Sequence, residues 1–243
     1  MFRTLEEGES IDLLPLLFAE TRRRTDRPWV MLNMVESVDG ATALKGGATA
    51  LNDPDDRELF LALRSVADVV LMGAQTVRSE RLGPVRMGEE MLRHRAAAGL
   101  EGEPRLAVLT RSLGIGPDER IFSDPHRRPL LVVPNDVDRD RMKQLQGVAD
   151  FVLTETGSGH AVIDALSPAE VVLCEGGPSV NSLLIADGLV DEINLTLSPV
   201  FGLGSSKRLA SHIEELDPPQ ELILDRALVG DRSLFLRYVS AAG

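Results

Sequence analysis

The sequence has a single cysteine, Cys174, among its 243 residues, so no internal disulfide can form. That suits a reducing compartment, and the cytoplasm is the expected location. Histidine is also sparse. His94, His126, His160 and His212 are scattered, with no two at metal-ligand spacing, so no metal site is expected. No apolar run is long enough for a membrane-spanning helix. The first residues, Met1 to Glu9, are acidic and lack the basic region and apolar run of a signal peptide. Positive charge is in short supply, with 26 Lys and Arg against 38 Asp and Glu and a formal charge of −12. Phosphate polymers call for the opposite balance, so neither nucleic acid nor a membrane is an expected partner. A small phosphorylated ligand held by a local cluster stays compatible. No repeat, low-complexity tract or linker interrupts the chain. It reads as one domain over 28–243 behind an N-terminal helical extension over 1–27.

What is present is an apolar fraction of 43%, enough for a continuous core, and a charged fraction of 26%, ordinary for a globular surface. Leu13, Leu14, Leu17 and Phe18 mark one side of a helix over 10–25 with a basic end at Arg22-Arg23-Arg24. Residues 28–35 read as a buried strand closing on Asp39-Gly40, a turn signal. Asp53 and Pro54, with acids in the first turn, start a helix carrying Leu59, Phe60, Leu63 and Val66. Short apolar strands then alternate with helical segments. The strands fall at 68–72, 106–109, 130–133, 151–153 and 171–174. A loop and helix follow over 78–98, and helical segments near 139–146, 161–166 and 179–186. Such alternation predicts an α/β fold with a mainly parallel sheet covered on both faces. The last third changes character: 192–198 alternates polar and apolar, and runs at 221–229 and 233–239 flank Gly230-Asp231-Arg232. That is an antiparallel hairpin on the sheet edge.

Ligands of such sheets bind beyond the carboxyl ends of the strands, and three loops there carry candidate chemistry. In Glu175-Gly176-Gly177-Pro178-Ser179-Val180-Asn181, paired glycines let backbone approach a ligand, and the helix start offers unpaired N–H groups to a diphosphate. The alternative is a tight strand-to-helix turn. Gly73-Ala74-Gln75-Thr76-Val77 has a hydroxyl that could serve the same phosphates; taken alone it is an ordinary turn. Thr110-Arg111-Ser112 pairs a guanidinium with hydroxyls, as a ribose 2′-phosphate would need, although a solvated arginine explains it equally simply.

The stretches Asn33 to Ala43, Leu63-Arg64, Ala67 to Val77, Glu175-Gly176-Gly177-Pro178 and Leu189-Val190-Asp191-Glu192-Ile193 resemble the pyrimidine reductase domain of riboflavin biosynthesis. The match runs over about 28–240 and looks like the stand-alone form, since the His/Cys zinc signature of the deaminase partner is missing. The resemblance implies a dihydrofolate-reductase-like fold, a homodimer, and NADPH-dependent reduction of 5-amino-6-(5-phosphoribosylamino)uracil. It also implies roles for individual residues. Gly177 to Leu183 would cradle the NADPH pyrophosphate with Thr76 in contact, and Arg111 would meet the 2′-phosphate. Val35 and Leu51 would border the nicotinamide. Thr49, Arg64, Arg86 and Glu175 would hold the phosphoribosylaminopyrimidine. Arg64 also reads as a surface helix arginine, and Asp39 as turn chemistry. Two departures from the family pattern affect the substrate half. Glu80 stands where an aspartate is usual, with Arg86 one residue early, and Leu51 replaces a tryptophan.

The expected reaction is hydride transfer to C1′ of an open-chain ribosylimine, with Glu80 or Glu175, or water, supplying the proton. A pteridine or dihydrofolate reductase is the alternative. It predicts a buried carboxylate facing a flat bicyclic pocket. A non-catalytic NADPH-binding protein and a flavodoxin-like module are further alternatives, the latter poorly served by Glu36-Ser37-Val38-Asp39-Gly40 as a phosphate loop.

Overall fold

The computed structural model describes residues 8–44, 47–210 and 215–241. The acidic start at 1–7 and His212 lie outside the described residues. In chain order the elements are α1 (Leu13–Ala19), β1 (Trp29–Ser37), α2 (Pro54–Ser65), β2 (Val69–Gly73), α3 (Ala74–Ser79), α4 (Glu89–Ala97), β3 (Arg105–Leu109), β4 (Leu130–Pro134), α5 (Arg139–Leu145), β5 (Asp150–Thr154), α6 (Gly159–Asp164), β6 (Val171–Cys174), α7 (Pro178–Ala186), β7 (Glu192–Ser198), β8 (Leu222–Val229) and β9 (Leu234–Ser240). Nine strands form one sheet in the order β5-β4-β3-β2-β6-β1-β7-β9-β8. Pairing is parallel from β5 through β7 and antiparallel across β7-β9 and β9-β8. The α/β architecture, the parallel sheet and the C-terminal hairpin all agree with the reading of the sequence.

Strands buried on both faces need apolar residues at every position rather than at alternate ones. β2 and β6 are buried throughout. Along β1 the pleat divides the residues between two cores. Met31 packs with Leu59 and Leu63 of α2, whereas Val30 and Leu32 pack with Val162 and Ile163 of α6 and Leu184 of α7. Local chemistry begins the helices. Asp53 accepts a bond of 2.8 Å from the Asp56 N–H ahead of Pro54, and Ser158 accepts one of 3.2 Å from the Ala161 N–H. Arg95, almost fully buried, reaches back to close the end of α2, donating to the carbonyls of Ser65 at 2.8 Å and Ala67 at 2.6 Å.

Two helices differ from the sequence reading. The loop and helix expected over 78–98 are preceded by a further short helix, α3, and the loop between α3 and α4 holds Gly83-Pro84, where proline cannot continue an i−4 ladder. The first helix ends at Ala19 rather than near 25, because the arginines beyond it turn inward. Arg22 donates from Nε to Glu192 Oε2 at 3.0 Å, and Arg237 Nη2 reaches the same oxygen at 2.9 Å. Asn194 and Trp29 Nε1 complete the shell at 2.8 and 3.2 Å. Next to it, Arg27 grips Asp191 through both guanidinium ends at 2.6 and 2.9 Å, and the Val30 N–H donates to the same carboxylate at 2.8 Å. The Asp191-Glu192 pair thus anchors residues 22–27 to the start of β7. These paired arginines hold the fully buried Glu192 carboxyl down to about 2, against the opposing pull of desolvation.

Candidate active site

A cleft of about 630 Å³ opens at the carboxyl ends of β1, β2 and β6. Its walls come from Met34, the Gly73–Glu80 turn and helix, Phe60 and Arg64 of α2, and Glu175 with Gly177–Val180 at the start of α7. Asn52 and the loop Ser205-Ser206-Lys207 close it on other sides.

The glycine loop is built so that only backbone fits. Gly176 and Gly177 have φ of +92° and +76°, which side-chain-bearing residues rarely adopt. A Cβ on Gly177 would stand 3.1 Å from Thr76 Oγ1, and one on Gly73 would stand 3.1 Å from Val180 Cγ2. The Gly73 N–H donates to the Gly176 carbonyl at 3.0 Å, so the two turns are bolted together. Helix α7 starts with Gly177 as its cap and Pro178 in the first turn, with no side-chain cap. Val180 and Asn181 N–H both return to the Gly177 carbonyl, at 2.9 and 3.1 Å. Among the described residues, the N–H groups of Gly177 and Ser179 have no acceptor. Two free donors on a glycine-lined helix start, with Thr76 alongside, fit a diphosphate. Cys174, directly before this loop, is sealed inside, and burial pushes its thiol up to about 12, so it is chemically quiet.

Arg64 and Glu175 meet across the cleft. Nε and Nη2 of the guanidinium donate to Oε1 and Oε2 at 2.6 and 2.7 Å, a parallel fork. The Arg64 guanidinium also lies over the Phe60 ring, 4.1 Å from its centre. This orients a planar cation, with its remaining nitrogen, Nη1, unpaired among the described residues. Arg64 is therefore an inward-facing residue and not a surface helix arginine. Glu80, half-buried at the end of α3, accepts a long contact of 3.4 Å from the Ala48 N–H.

The remaining expected site residues divide clearly. Gly73, Thr76, Gly177, Pro178, Ser179 and Val180 line the cleft; Ala74, Val77 and Gly176 are buried just behind it. Asn181 is fully buried and donates to the Leu209 carbonyl at 2.9 Å, which holds the loop after β7 rather than a ligand. Thr110 spends its hydroxyl on the Leu113 N–H at 3.1 Å, while Arg111 is exposed beside it. Val35, Leu51, Thr49 and Arg86 do not line the cleft. The pleat of β1 sends Met34 to the glycine loop and Val35 to the opposite face. Leu51 is packed into the interior at 1% exposure while its neighbour Asn52 faces the cleft. Thr49 is exposed where Ala48 lines the wall. Arg86 forms an exposed pair with Asp124 at 2.7 Å. Asp39 is turn chemistry as expected: it accepts from Ser37 Oγ and from the N–H groups of Gly202 and Leu203, which hold its carboxyl at about 2.

Reading the sequence also missed residues. Met34, Asn52, Gln75 and Lys207 line the cleft. Gly204-Ser205-Ser206-Lys207, a hydroxyl-rich basic loop after a strand, carried the signal that would have found the last of these.

The chain is 24% identical over 220 residues to the 2,5-diamino-6-ribosylamino-4(3H)-pyrimidinone 5′-phosphate reductase of Methanothermobacter thermautotrophicus, covering 87% of this chain and 98% of that protein. The crystal structure of a pyrimidine reductase-like protein from Corynebacterium diphtheriae superposes with a TM-score of 0.76 at 25% identity, over 89% of this chain and 93% of that one. Dihydrofolate reductase from Enterococcus faecalis, complexed with NADP(H), shares the fold at a TM-score of 0.51 and 13% identity, over 88% and 96% of the two chains. Residues 28–226 match the RibD C-terminal domain, and the chain belongs to that family.

Proposed function

We propose that the chain is an NADPH-dependent reductase of a ribosylaminopyrimidine 5′-phosphate, reducing C1′ of the open-chain imine to a ribitylamino product. The observation that carries this reading is the pair of unpaired amides at Gly177 and Ser179, set in the same cleft as the Arg64–Glu175 fork. Gly177, Ser179 and Thr76 would hold the cofactor's diphosphate, and Arg111 its 2′-phosphate. When bound, the nicotinamide supplies the hydride. The chain's residues do the rest. Arg64, held flat by Glu175 and Phe60, and Lys207 are the two cations of the cleft and would receive the substrate's phosphate or hydroxyls. Reduction of an imine also adds a proton to its nitrogen. Glu80 is the better donor, since both oxygens of Glu175 are engaged by Arg64.

The reading extends to a cytoplasmic homodimer. β8 is an edge strand whose Leu222, Ile223, Leu224 and Val229 are between 41% and 65% exposed. An apolar strand with unpaired backbone calls for a cover, and a second copy supplies one.

The test is steady-state oxidation of NADPH, with NADH as control, in the presence of the ribosylaminopyrimidine phosphate. NADPH is consumed with wild type, and Arg111→Ala raises the KM for NADPH at least tenfold while leaving the NADH rate alone. Absence of turnover with either nucleotide refutes the reading.

A further inference from the structure

The resemblance to pyrimidine reductases implies two arginines, Arg64 and Arg86, for a phosphate-bearing substrate, and the structure engages both elsewhere. Arg86 stands outside the cleft, exposed, and pairs with Asp124 at 2.7 Å. Arg64 lines the cleft, but both oxygens of Glu175 neutralise it, at 2.6 and 2.7 Å. The fork therefore brings no net charge to the cleft. A phosphomonoester carries about −1.5 to −2 charges at pH 7. In a chain of formal charge −12, receiving it calls for a cation that no acid has already compensated. Lys207 is such a cation. It lines the cleft, and no described residue bonds to its ammonium.

The loop that carries Lys207 is tied down along its length. Asp39 accepts from the N–H groups of Gly202 and Leu203, both at 2.8 Å. Thr42 donates twice to the Lys207 carbonyl, from its N–H at 3.1 Å and from Oγ1 at 2.9 Å. Ser206 Oγ donates to the Ala43 carbonyl at 3.0 Å. Beyond Lys207, Asn181 Nδ2 on α7 donates to the Leu209 carbonyl at 2.9 Å. The fit is close: a Cβ on Gly202 would stand 2.7 Å from the Ala41 Cβ. Leu203 is held in the left-handed region at φ +52°, which a side-chain-bearing residue adopts only under constraint. Main chain at Lys207 is thus fixed from the turn after β1 and from α7, while its side chain is left unbonded. An ammonium on a fixed stem is a point charge that costs little to organise when an anion arrives. Ser205 lines the cleft beside it, and its hydroxyl likewise bonds to no described residue.

Resting on the reductase reading, we infer that Lys207, with Ser205, receives the substrate's 5′-phosphate, and that Arg86 does not. The cation that the second loop withdraws from the cleft is supplied from the loop after β7. The neutral Arg64–Glu175 fork is left for the uncharged part of the substrate. The cofactor's diphosphate keeps its own seat on the Gly177 and Ser179 amides, so the two phosphates do not compete for Lys207. A charge-assisted contact of this kind separates a phosphorylated substrate from its dephosphorylated riboside, and in this chain that separation hangs on one lysine.

The experiment compares kcat/KM for a ribosylaminopyrimidinone 5′-phosphate and its dephosphorylated riboside in wild type, Lys207→Met and Arg86→Met. Methionine keeps the length of the side chain and removes the charge. Wild type is expected to prefer the phosphate by at least about tenfold, the worth of a charge-assisted hydrogen bond. Lys207→Met brings the two compounds to within about threefold of parity, and Arg86→Met keeps the preference within about threefold of wild type. A wild type indifferent to the phosphate overturns the inference and leaves the reductase reading standing. So does a loss in Lys207→Met shared equally by both compounds, or a preference that survives there and falls in Arg86→Met. A raised KM for NADPH in Lys207→Met, with the phosphate preference intact, assigns the lysine to the cofactor and also overturns it. If neither compound is reduced, the reductase reading fails, and calorimetric binding of ribose 5-phosphate still decides. Binding weakened at least about tenfold in Lys207→Met and unchanged in Arg86→Met supports the seat; absent binding, or equal binding by wild type and Lys207→Met, removes it.

Discussion

Replacing Gly177 by alanine tests whether this loop must be bare backbone. The residue holds φ +76° and ψ 129°, a region that L-residues enter at a cost of about 1–3 kcal/mol. The added Cβ meets Thr76 Oγ1 at 3.1 Å, with the Gly73 Cα and Val180 Cγ2 at 3.9 Å, so the side chain of Thr76 has to give way. At about 2–4 °C per kcal/mol for a chain this size, the melting temperature falls by roughly 3–10 °C. NADPH affinity, followed by nucleotide fluorescence, falls at least tenfold, because the Gly177 and Ser179 amides are displaced together. A double variant separates the causes. Thr76→Ala removes the close contact and leaves the backbone conformation, so Gly177→Ala in that background regains only part of the lost stability. If Gly177→Ala melts with wild type and binds NADPH equally well, the loop tolerates a side chain and the diphosphate seat is wrong.

Arg64→Ala leaves the largely buried Glu175 without its cation and should cost about 3–5 kcal/mol in urea unfolding, and the double variant Arg64→Ala/Glu175→Ala should cost less than the two single losses added. Additive single effects would show that the fork carries no coupling. Glu192 is held at about 2 against an ordinary 4.5, so the stability it confers is whole above about pH 4.5 and drains away as pH falls toward 2, some 3 kcal/mol in all. Glu192→Gln therefore flattens the acid limb of a stability-against-pH curve, and an unchanged limb refutes the assignment. Sedimentation equilibrium should show a dimer that Ile223→Lys on β8 converts to monomer; a monomeric wild type refutes the covered edge.

The fold was legible because its strands are saturated with apolar residues and bounded by turn chemistry. Val69–Met72 and Val171–Cys174 have no polar position to mark an exposed face, which only a sheet covered on both sides accommodates. The changed pattern after Glu192 announced the hairpin for the same reason, since alternation belongs to strands with one wetter face. The lost detail was long-range. Nothing local in Arg22-Arg23-Arg24 distinguishes a solvated helix end from an arm whose first arginine is drawn onto Glu192, 170 residues away. Helix α3 was likewise hidden. Its six residues are too few to show a period, and the proline that separates it from α4 can start or end a helix with equal ease.

The site was legible in proportion to how much of it is backbone. A glycine loop opening a helix is written in consecutive residues, so Gly176-Gly177-Pro178-Ser179, the seat proposed for a diphosphate, could be found by inspection. A substrate wall is assembled from side chains on separate elements, and there the pleat and the helix turn decide by single residues. Val35 was expected where Met34 faces the loop, Thr49 where Ala48 does, and Leu51 where Asn52 does, each one position from a residue that lines the cleft. A one-residue step on a strand reverses the face, so a motif aligned correctly along the chain can still name the wrong side chain. Asp56 shows the same limit from the other side. As sequence it is one of several acids flattering a helix start. Only Thr196, on the strand β7 that packs against it, shows it to be a buried carboxylate with a hydroxyl partner.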